Sequence, residues 1–233
     1  MALSLQSQWK LVAAGMMAHA DQVMAGEECE RLMALVEEEV DGDEYAEWLG
    51  TVSDPDKLAA ALDALPALPS DSHRAVLEEA WLMAVVDGVR DEAEVKMLET
   101  LGERLGVESV QLEFWREAWT QAQSDRAETT IRALATLVGE EDEGLVSTVL
   151  FEMPTTHEHR DALAVIAKTP QARDEVVRRM TALSKPLRRD VVSRLARAVG
   201  QCSRIDEARA ELSAIAADAG LTEAEIASVL HDA

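Results

Sequence analysis

A chain of 233 residues can form one large domain or two small ones. Its net charge of −23 argues against nucleic acid or anionic lipid as its main partner. Only 3% of the residues are aromatic, so a core must be aliphatic, and a content of 11 Gly and 6 Pro favours helices over sheets. The composition therefore predicts an all-α protein.

The sequence shows no signs of export or membrane insertion. No apolar run approaches the ~20 residues that a transmembrane helix needs. The start, MALSLQSQWK, lacks the regions of a secretory signal. Cys29 and Cys202 lie far apart and form no spacing motif. We therefore expect a cytoplasmic protein without a transmembrane segment.

Apolar residues recur with helical spacing along the first half of the chain. Asp54 and Pro55 form a helix start, with Asp as the N-cap and Pro at the first helical position. Gly106 is a C-terminal stop. The predicted helices cover 9–20, 27–39, a short segment around Tyr45, 55–65, 70–84, 92–105 and 108–121.

The polar segment Ser124-Asp125-Arg126 is the predicted boundary between two domains, 1–123 and 124–233. Their charges differ, with a net of −18 in the first and −5 in the second. Such an asymmetry suggests two domains with different roles.

Seven helices are predicted in the second half. Thr155 to Glu158 and Thr222 to Glu225 have the pattern of capping boxes. Thr169-Pro170 has the pattern of a helix start. The predicted helices cover 127–138, 143–151, 156–167, 171–183, 186–199, 206–218 and 223–231.

Two acidic helix junctions, 66 residues apart, have similar sequences. The segment from Met16 to Leu35 reads MMAHADQVMAGEECERLMAL, and it aligns with the central part of Leu77 to Val107. The matched pairs are Met17 and Met83, Ala18 and Ala84, Asp21 and Asp87, Val23 and Val89, Glu28 and Glu94, Leu32 and Leu98, and Leu35 and Leu101. The repeated pattern predicts a pseudo-two-fold helical domain.

The end of the chain aligns with the same junction at an offset of 114 residues. Arg204 and Gly220 match Arg90 and Gly106. The acids are lost, however, because Gln201 stands opposite Asp87 and Ala208 opposite Glu94. We therefore predict that the second half is a degenerate copy of the first.

The four repeated acids form a candidate metal site. If the pseudo-two-fold axis brings both junctions together, the carboxylates of Asp21, Glu28, Asp87 and Glu94 converge. Oxygen ligands suit Ca²⁺, Mg²⁺ or Mn²⁺ rather than Zn²⁺ or copper. The alternative is local structure, with the aspartates as turn or capping residues and the glutamates at the positive ends of helices.

The lines AVVDGVRDEAEVKMLETLGERLGV and MAHADQVMAGEECERLMAL resemble the tellurite-resistance TerB-like family over about residues 9–122. The resemblance implies an all-helical bundle that binds a divalent metal in a stress response, often within a membrane-associated complex and without enzyme activity. By position it assigns the metal to Asp21, Glu28, Asp87 and Glu94. One departure is Gln22, which stands where the family usually has Gly.

Other polar residues have less specific interpretations. His157 and His159 are interpreted as a solvated helix end rather than metal ligands, and His19 as a satisfied core histidine or a neighbour of the acids. The arginine-rich segment 173–197 is either a solvated helix face or a docking surface for an acidic partner, including the first half of this chain. The tryptophans Trp48, Trp81, Trp115 and Trp119 are expected to anchor the packing.

The sequence thus predicts a non-enzymatic protein of TerB-like type that couples a divalent cation to the binding of a protein partner. A metal-independent helical adaptor or scaffold is the alternative. A weaker alternative is a hydrolase that uses the carboxylates with a metal. No nucleophile and base pair, phosphate loop or dinucleotide fingerprint is apparent in the sequence.

Overall fold

The computed structural model describes residues 3–21, 24–40, 42–138, 143–151 and 153–231. These residues form thirteen α-helices and one 3₁₀ turn, and they contain no strand. The prediction of an all-α protein is therefore confirmed. No helix of the described residues is long and apolar enough to cross a membrane.

The chain divides into two compact units, Met1–Thr120 and Gln121–Ala233. The first contains α1 to α6, and the second α8 to α13, while α7 contributes residues to both. The bounds in the first part of the chain are α1 Leu5–Ala18, α2 Gly26–Glu39, the 3₁₀ turn Gly42–Glu44, α3 Tyr45–Val52, α4 Pro55–Ala64, α5 Ser70–Met83, α6 Glu92–Leu105 and α7 Ser109–Val138. The remaining bounds are α8 Glu143–Phe151, α9 His157–Ala167, α10 Arg173–Ala182, α11 Lys185–Val199, α12 Ile205–Asp218 and α13 Glu223–His231.

The first unit is built around α1, which packs against α2, α3, α4, α5 and α6. Eight of its fourteen residues are buried, because this helix is apolar on nearly every face. Gly15 lets α4 approach closely, since a Cβ at this position would lie 2.8 Å from the Cδ2 atom of Leu58. The indole nitrogen of Trp9 donates a hydrogen bond to the carbonyl oxygen of Pro66 at 3.0 Å, which links α1 to the loop after α4.

Local chemistry fixes several helix ends where they were predicted. The side chain of Asp54 accepts hydrogen bonds from the backbone nitrogens of Asp56 and Lys57, and Pro55 follows as the first helical residue. Helix α6 ends at Gly106, which has a φ of 71°. This left-handed conformation costs glycine little and closes the helix.

The second unit is centred on α11, which packs against α12 and α13, while α10 packs against α12 and α8 against α9. Its core is aliphatic, as predicted, and includes Leu134, Leu163, Val192, Leu195 and Ile215. The capping box predicted at Thr222 is confirmed. The backbone nitrogen of Thr222 donates to Glu225 at 3.0 Å, and Thr222 Oγ1 accepts from the backbone nitrogen of Glu225 at 3.4 Å.

The predicted helix break between residues 121 and 127 is wrong, because Ser124 to Arg126 lie inside α7. The two units divide between Thr120 and Gln121, three residues before the predicted domain boundary. Neither Gly nor Pro occurs between Ser109 and Val138, so no residue stops the helix. The side chain of Gln121 also donates to Asp125 at 2.8 Å, a contact one turn apart that supports the helix. Polar residues alone do not end a helix.

The caps predicted for two other helices are also wrong. Helix α9 is capped by Thr156, whose hydroxyl accepts from the backbone nitrogen of His159, so Thr155 is not the cap. Helix α10 begins at Arg173 after Ala172, and not at Thr169-Pro170. In both cases a neighbouring residue takes the extended N-cap conformation.

Candidate functional site

Two buried glutamates lie at the helix junctions of the first unit. Glu28 is the third residue of α2 and Glu94 the third residue of α6, and their exposed fractions are 5% and 7%. Buried carboxylates are rare in proteins unless they are paired. Both residues are therefore in an unusual environment.

Each glutamate makes a capping hydrogen bond to the backbone. The Oε2 atom of Glu94 accepts from the backbone nitrogen of Asp91 at 2.8 Å, and the Oδ1 atom of Asp91 accepts in return from the backbone nitrogens of Ala93 and Glu94. The Oε2 atom of Glu28 likewise accepts from the backbone nitrogen of Ala25 at 2.7 Å. At α2 the box is half formed, because alanine has no side-chain acceptor.

Burial raises the pKa of both carboxyl groups to about 7. For Glu28 the hydrogen bond from Ala25 acts in the opposite direction, and the negative charges of Asp87, Asp21 and Glu27 raise the pKa further. For Glu94 the hydrogen bond from Asp91 opposes burial, and the charges of Asp91, Asp87 and Glu28 raise the pKa further. Desolvation is the larger cause in both residues.

The structure brings Glu28, Glu94 and Asp87 within electrostatic reach of one another. Asp87 acts on both glutamates, and Glu28 acts on Glu94. Asp21 acts on Glu28. Within the described residues, however, no three His, Cys, Asp or Glu side chains stand in position to hold a metal ion. The acids are thus neighbours, but the described side chains do not form a coordination site.

Asp87 also has a local structural role. Its Oδ1 atom accepts from the backbone nitrogen of Val89 at 2.8 Å, which is a turn contact typical of aspartate. Gly88 between them has a φ of 87°, a conformation that favours glycine. The corresponding turn in the first half contains Gln22 and Val23, which lie outside the described residues.

Arg90 is a member of this region that sequence reasoning missed. Its guanidinium lies over the ring of Trp81, 3.8 Å from the ring centroid. Burial lowers the pKa of Arg90 to about 10, and the charge of Glu94 opposes that change. The pair Asp91-x-x-Glu94 was also missed as a capping box, although its pattern is present in the sequence. The sequence match of Arg90 with Arg204 gives no signal for this position, because Arg204 is exposed and contacts Glu207 instead.

The histidines are used in hydrogen bonds. His19 donates from Nε2 to the carbonyl oxygen of Val52 at 3.1 Å, as expected for a satisfied core histidine. His157 is exposed at the start of α9. His159 differs from the prediction, because it is half-buried, with Nδ1 2.8 Å from Thr155 Oγ1 and Nε2 3.4 Å from Ser124 Oγ.

Most arginines of the basic segment have partners inside the second unit. Arg173 pairs with Glu211 and Asp218, and Arg178 pairs with Glu175. The other contacts join Arg179 to Glu128 and Glu175, Lys185 to Glu225, Arg188 to the carbonyl oxygen of Ala219, and Arg194 to Asp190. These contacts favour a helix face with internal ion pairs over a surface for an acidic partner.

Comparison with family models, with curated proteins and with solved structures gave no match for this chain. The resemblance to TerB-like proteins therefore stays a prediction from the two acidic junctions.

Proposed function

We propose that the first unit binds a divalent cation, Ca²⁺, Mg²⁺ or Mn²⁺, through Asp21, Glu28, Asp87 and Glu94. In this proposal the protein is a non-enzymatic stress-response protein of TerB-like type, and a protein partner recognises the cation-bound state. The observation that carries the proposal is the pair of buried glutamates, Glu28 and Glu94, with Asp87 acting on both.

The electrostatic state of the cluster favours a cation. Ionising Glu28 and Glu94 near neutral pH places two buried charges beside Asp87, and like charges in one site repel. A bound divalent cation offsets that repulsion. Its positive charge also stabilises the two carboxylates, which burial has separated from water. The donors are all oxygen atoms, which hard cations prefer.

The capping contacts leave room for such a ligand. Each glutamate uses its Oε2 atom for the backbone, and a carboxylate can accept through two oxygens. The described acids do not already form a metal-binding group, so in this proposal they move toward the ion as it binds. The helix junctions of the first unit would then change conformation when the ion binds. A partner could recognise this changed conformation.

The proposed repeat adds an argument for function. Helices α2 and α6 both have fourteen residues and begin 66 positions apart. Helix α12 also has fourteen residues and precedes a glycine in the left-handed conformation, Gly220. There the residue aligned with Glu94 is Ala208, which is buried in an apolar core. A helix junction of this kind can therefore form without a buried acid.

Thermal unfolding with each cation tests the proposal. Binding to the folded state alone at a hundred times the dissociation constant stabilises a protein by ~2.7 kcal/mol. We expect this gain in the wild type and its loss in Asp21→Asn/Asp87→Asn. The variant Glu99→Gln/Glu103→Gln is the control, because it removes the same charge from exposed positions on α6. Equal stabilisation of the wild type and the aspartate variant would overturn the site.

A metal-independent adaptor is the second candidate function. It is favoured by the capping hydrogen bonds of Glu28 and Glu94, which give both residues a structural role without an ion. Pull-down with the wild-type protein in chelator separates the two functions. A partner that stays bound in chelator supports the adaptor, whereas a partner that is released supports the cation-dependent protein.

A further inference from the structure

The first part of α7 carries two large apolar side chains on its solvent side. The exposed fractions of Val110 and Phe114 are 77% and 68%. These residues are four positions apart, so their side chains are neighbours on the helix surface. We call this pair the α7 apolar face.

The orientation of α7 is fixed by its opposite side. Leu112 and Trp119 are buried in the core of the first unit, with exposed fractions of 5% and 2%. Gly102 allows close packing here, because a Cβ on it would lie 2.7 Å from the Cδ2 atom of Leu112. Because Leu112 and Trp119 fix the orientation of the helix, Val110 and Phe114 face water. Exposed aromatic side chains of this kind are frequent anchors in protein interfaces.

The surroundings of the α7 apolar face are acidic. Between residues 103 and 120 the four glutamates Glu103, Glu108, Glu113 and Glu117 are all exposed. Each of the two cations of this stretch has a contact inside the first unit. Arg104 contacts Asp63 at 3.6 Å, and the guanidinium of Arg116 lies 5.9 Å from the Trp81 ring centroid. An apolar pair with an acidic rim results.

We propose that the α7 apolar face binds a basic amphipathic helix of another protein. Leucine or aromatic side chains of that helix would cover Val110 and Phe114. Lysine or arginine side chains beside them would meet the glutamates, in the mode by which an amphipathic helix lies on a complementary surface. This binding needs no cation and does not depend on the proposed metal site.

Fluorescence anisotropy with synthetic helices tests this surface in the presence of chelator. The probe is a labelled peptide of about 18 residues, or five helical turns, with leucines on one face and lysines beside them. A matched peptide has glutamates in place of the lysines. We expect the wild-type protein to bind the lysine peptide, more weakly as salt rises, and to bind the glutamate peptide at least about tenfold more weakly.

Phe114→Ala is the decisive variant. Its position is exposed, so folding is preserved, and loss of the ring that the bound peptide would cover should weaken binding at least about tenfold. Phe151→Ala is the matched control, because Phe151 has a similar exposed fraction of 65% but belongs to the second unit. We expect this control to bind like the wild type.

Three results would overturn the proposal. The wild type could fail to bind the lysine peptide, or Phe114→Ala could bind as tightly as Phe151→Ala. Sedimentation could instead show a wild-type dimer that Phe114→Ala dissociates, together with no peptide binding. That last result would assign the α7 apolar face to a second copy of this chain.

Discussion

At the residue scale, Glu28 and Glu94 are subject to two opposing effects. The capping hydrogen bonds from Ala25 and Asp91 favour the charged carboxylate, whereas burial and the nearby acids favour the neutral form. Burial is the larger effect, so both carboxyl groups titrate near neutral pH. The sequence predicted that these residues sit together, but it could not predict their burial, because this depends on how α2 and α6 pack in three dimensions.

The raised pKa values of Glu28 and Glu94 predict a pH dependence of stability. Both pKa values rise from 4.5 in the unfolded chain to about 7 in the folded protein. The folded state then binds more protons in this interval, so the free energy of unfolding falls as pH rises from 4.5 to about 7. A pKa change of one corresponds to ~1.4 kcal/mol, so a rise from 4.5 to about 7 lets each glutamate contribute at most about 3.5 kcal/mol to this fall.

Urea unfolding at pH 5 and pH 7.5 measures the effect. We expect Glu28→Gln/Glu94→Gln to lose most of the pH dependence, since glutamine keeps the capping contact and does not titrate. The exposed pair Glu99→Gln/Glu103→Gln should keep it. Glu225, whose pKa is lowered to about 2, contributes stability that is lost only as pH falls below 4.5. A double glutamine variant with the wild-type pH profile would contradict the account.

The two N-caps predict opposite effects of substitution. Asp91 accepts from two backbone nitrogens at the start of α6, so Asp91→Ala should lower the free energy of unfolding by about 1 kcal/mol. Ala25 has an extended N-cap backbone but no side-chain acceptor. Ala25→Ser should therefore raise the free energy of unfolding by about 0.5–1 kcal/mol. Urea unfolding at one pH measures both changes. A lower free energy of unfolding for Ala25→Ser would contradict the interpretation that α2 lacks only a side-chain acceptor at its N-cap.

At the element scale, the ends of several described helices follow from capping and turn residues. Helix α6 runs from Glu92 to Leu105 as predicted, because Asp91 caps its start and Gly106 ends it. The prediction was wrong at α7, where a helix break was expected at a polar segment although nothing in that segment opposes a helix. Local chemistry therefore predicted the ends at Asp54-Pro55 and Gly106, but not the start of α10, which Thr169-Pro170 does not open. It is also less informative where Ser, Asp and Arg can lie inside a helix.

The left-handed glycine after α6 predicts a specific cost. A Cβ at Gly106 would meet no atom within 4 Å, so Gly106→Ala changes the backbone preference alone. We expect a loss of about 1 kcal/mol, since a φ of 71° disfavours residues with a Cβ. Gly144→Ala is the matched control, because the Cβ also meets no atom and the residue is helical. This control should be neutral or slightly stabilising. Equal urea unfolding curves for both variants would contradict the C-cap interpretation.

At the scale of the whole molecule, charge is the dominant property. Of the net charge of −23, residues 1–123 carry −18, while the arginines of the second unit are largely paired with its own acids. Self-repulsion of this size opposes folding. The sequence predicted this asymmetry directly, since charge needs only composition. It could not predict which acids lie close together, because contacts between distant segments depend on the fold.

Salt should therefore stabilise the protein without any specific site. We expect NaCl, raised from about 20 to about 300 mM, to raise the melting temperature as screening reduces the repulsion. A divalent chloride at the same ionic strength should add a further gain that Asp21→Asn/Asp87→Asn lacks. Scanning calorimetry of both proteins in both salts measures this. If the divalent chloride raises the melting temperature only as much as NaCl does at the same ionic strength, the effect of the cation is screening alone.

Calorimetric titration of the wild type with Ca²⁺, Mg²⁺ and Mn²⁺ at pH 7.5 tests the central claim most directly. The account predicts saturable binding of at least one of these ions, loss of that binding in Glu28→Gln/Glu94→Gln, and weaker binding at pH 5.5, where the two glutamates are protonated. No binding of any of the three ions, or the same binding in the glutamine variant, would contradict it.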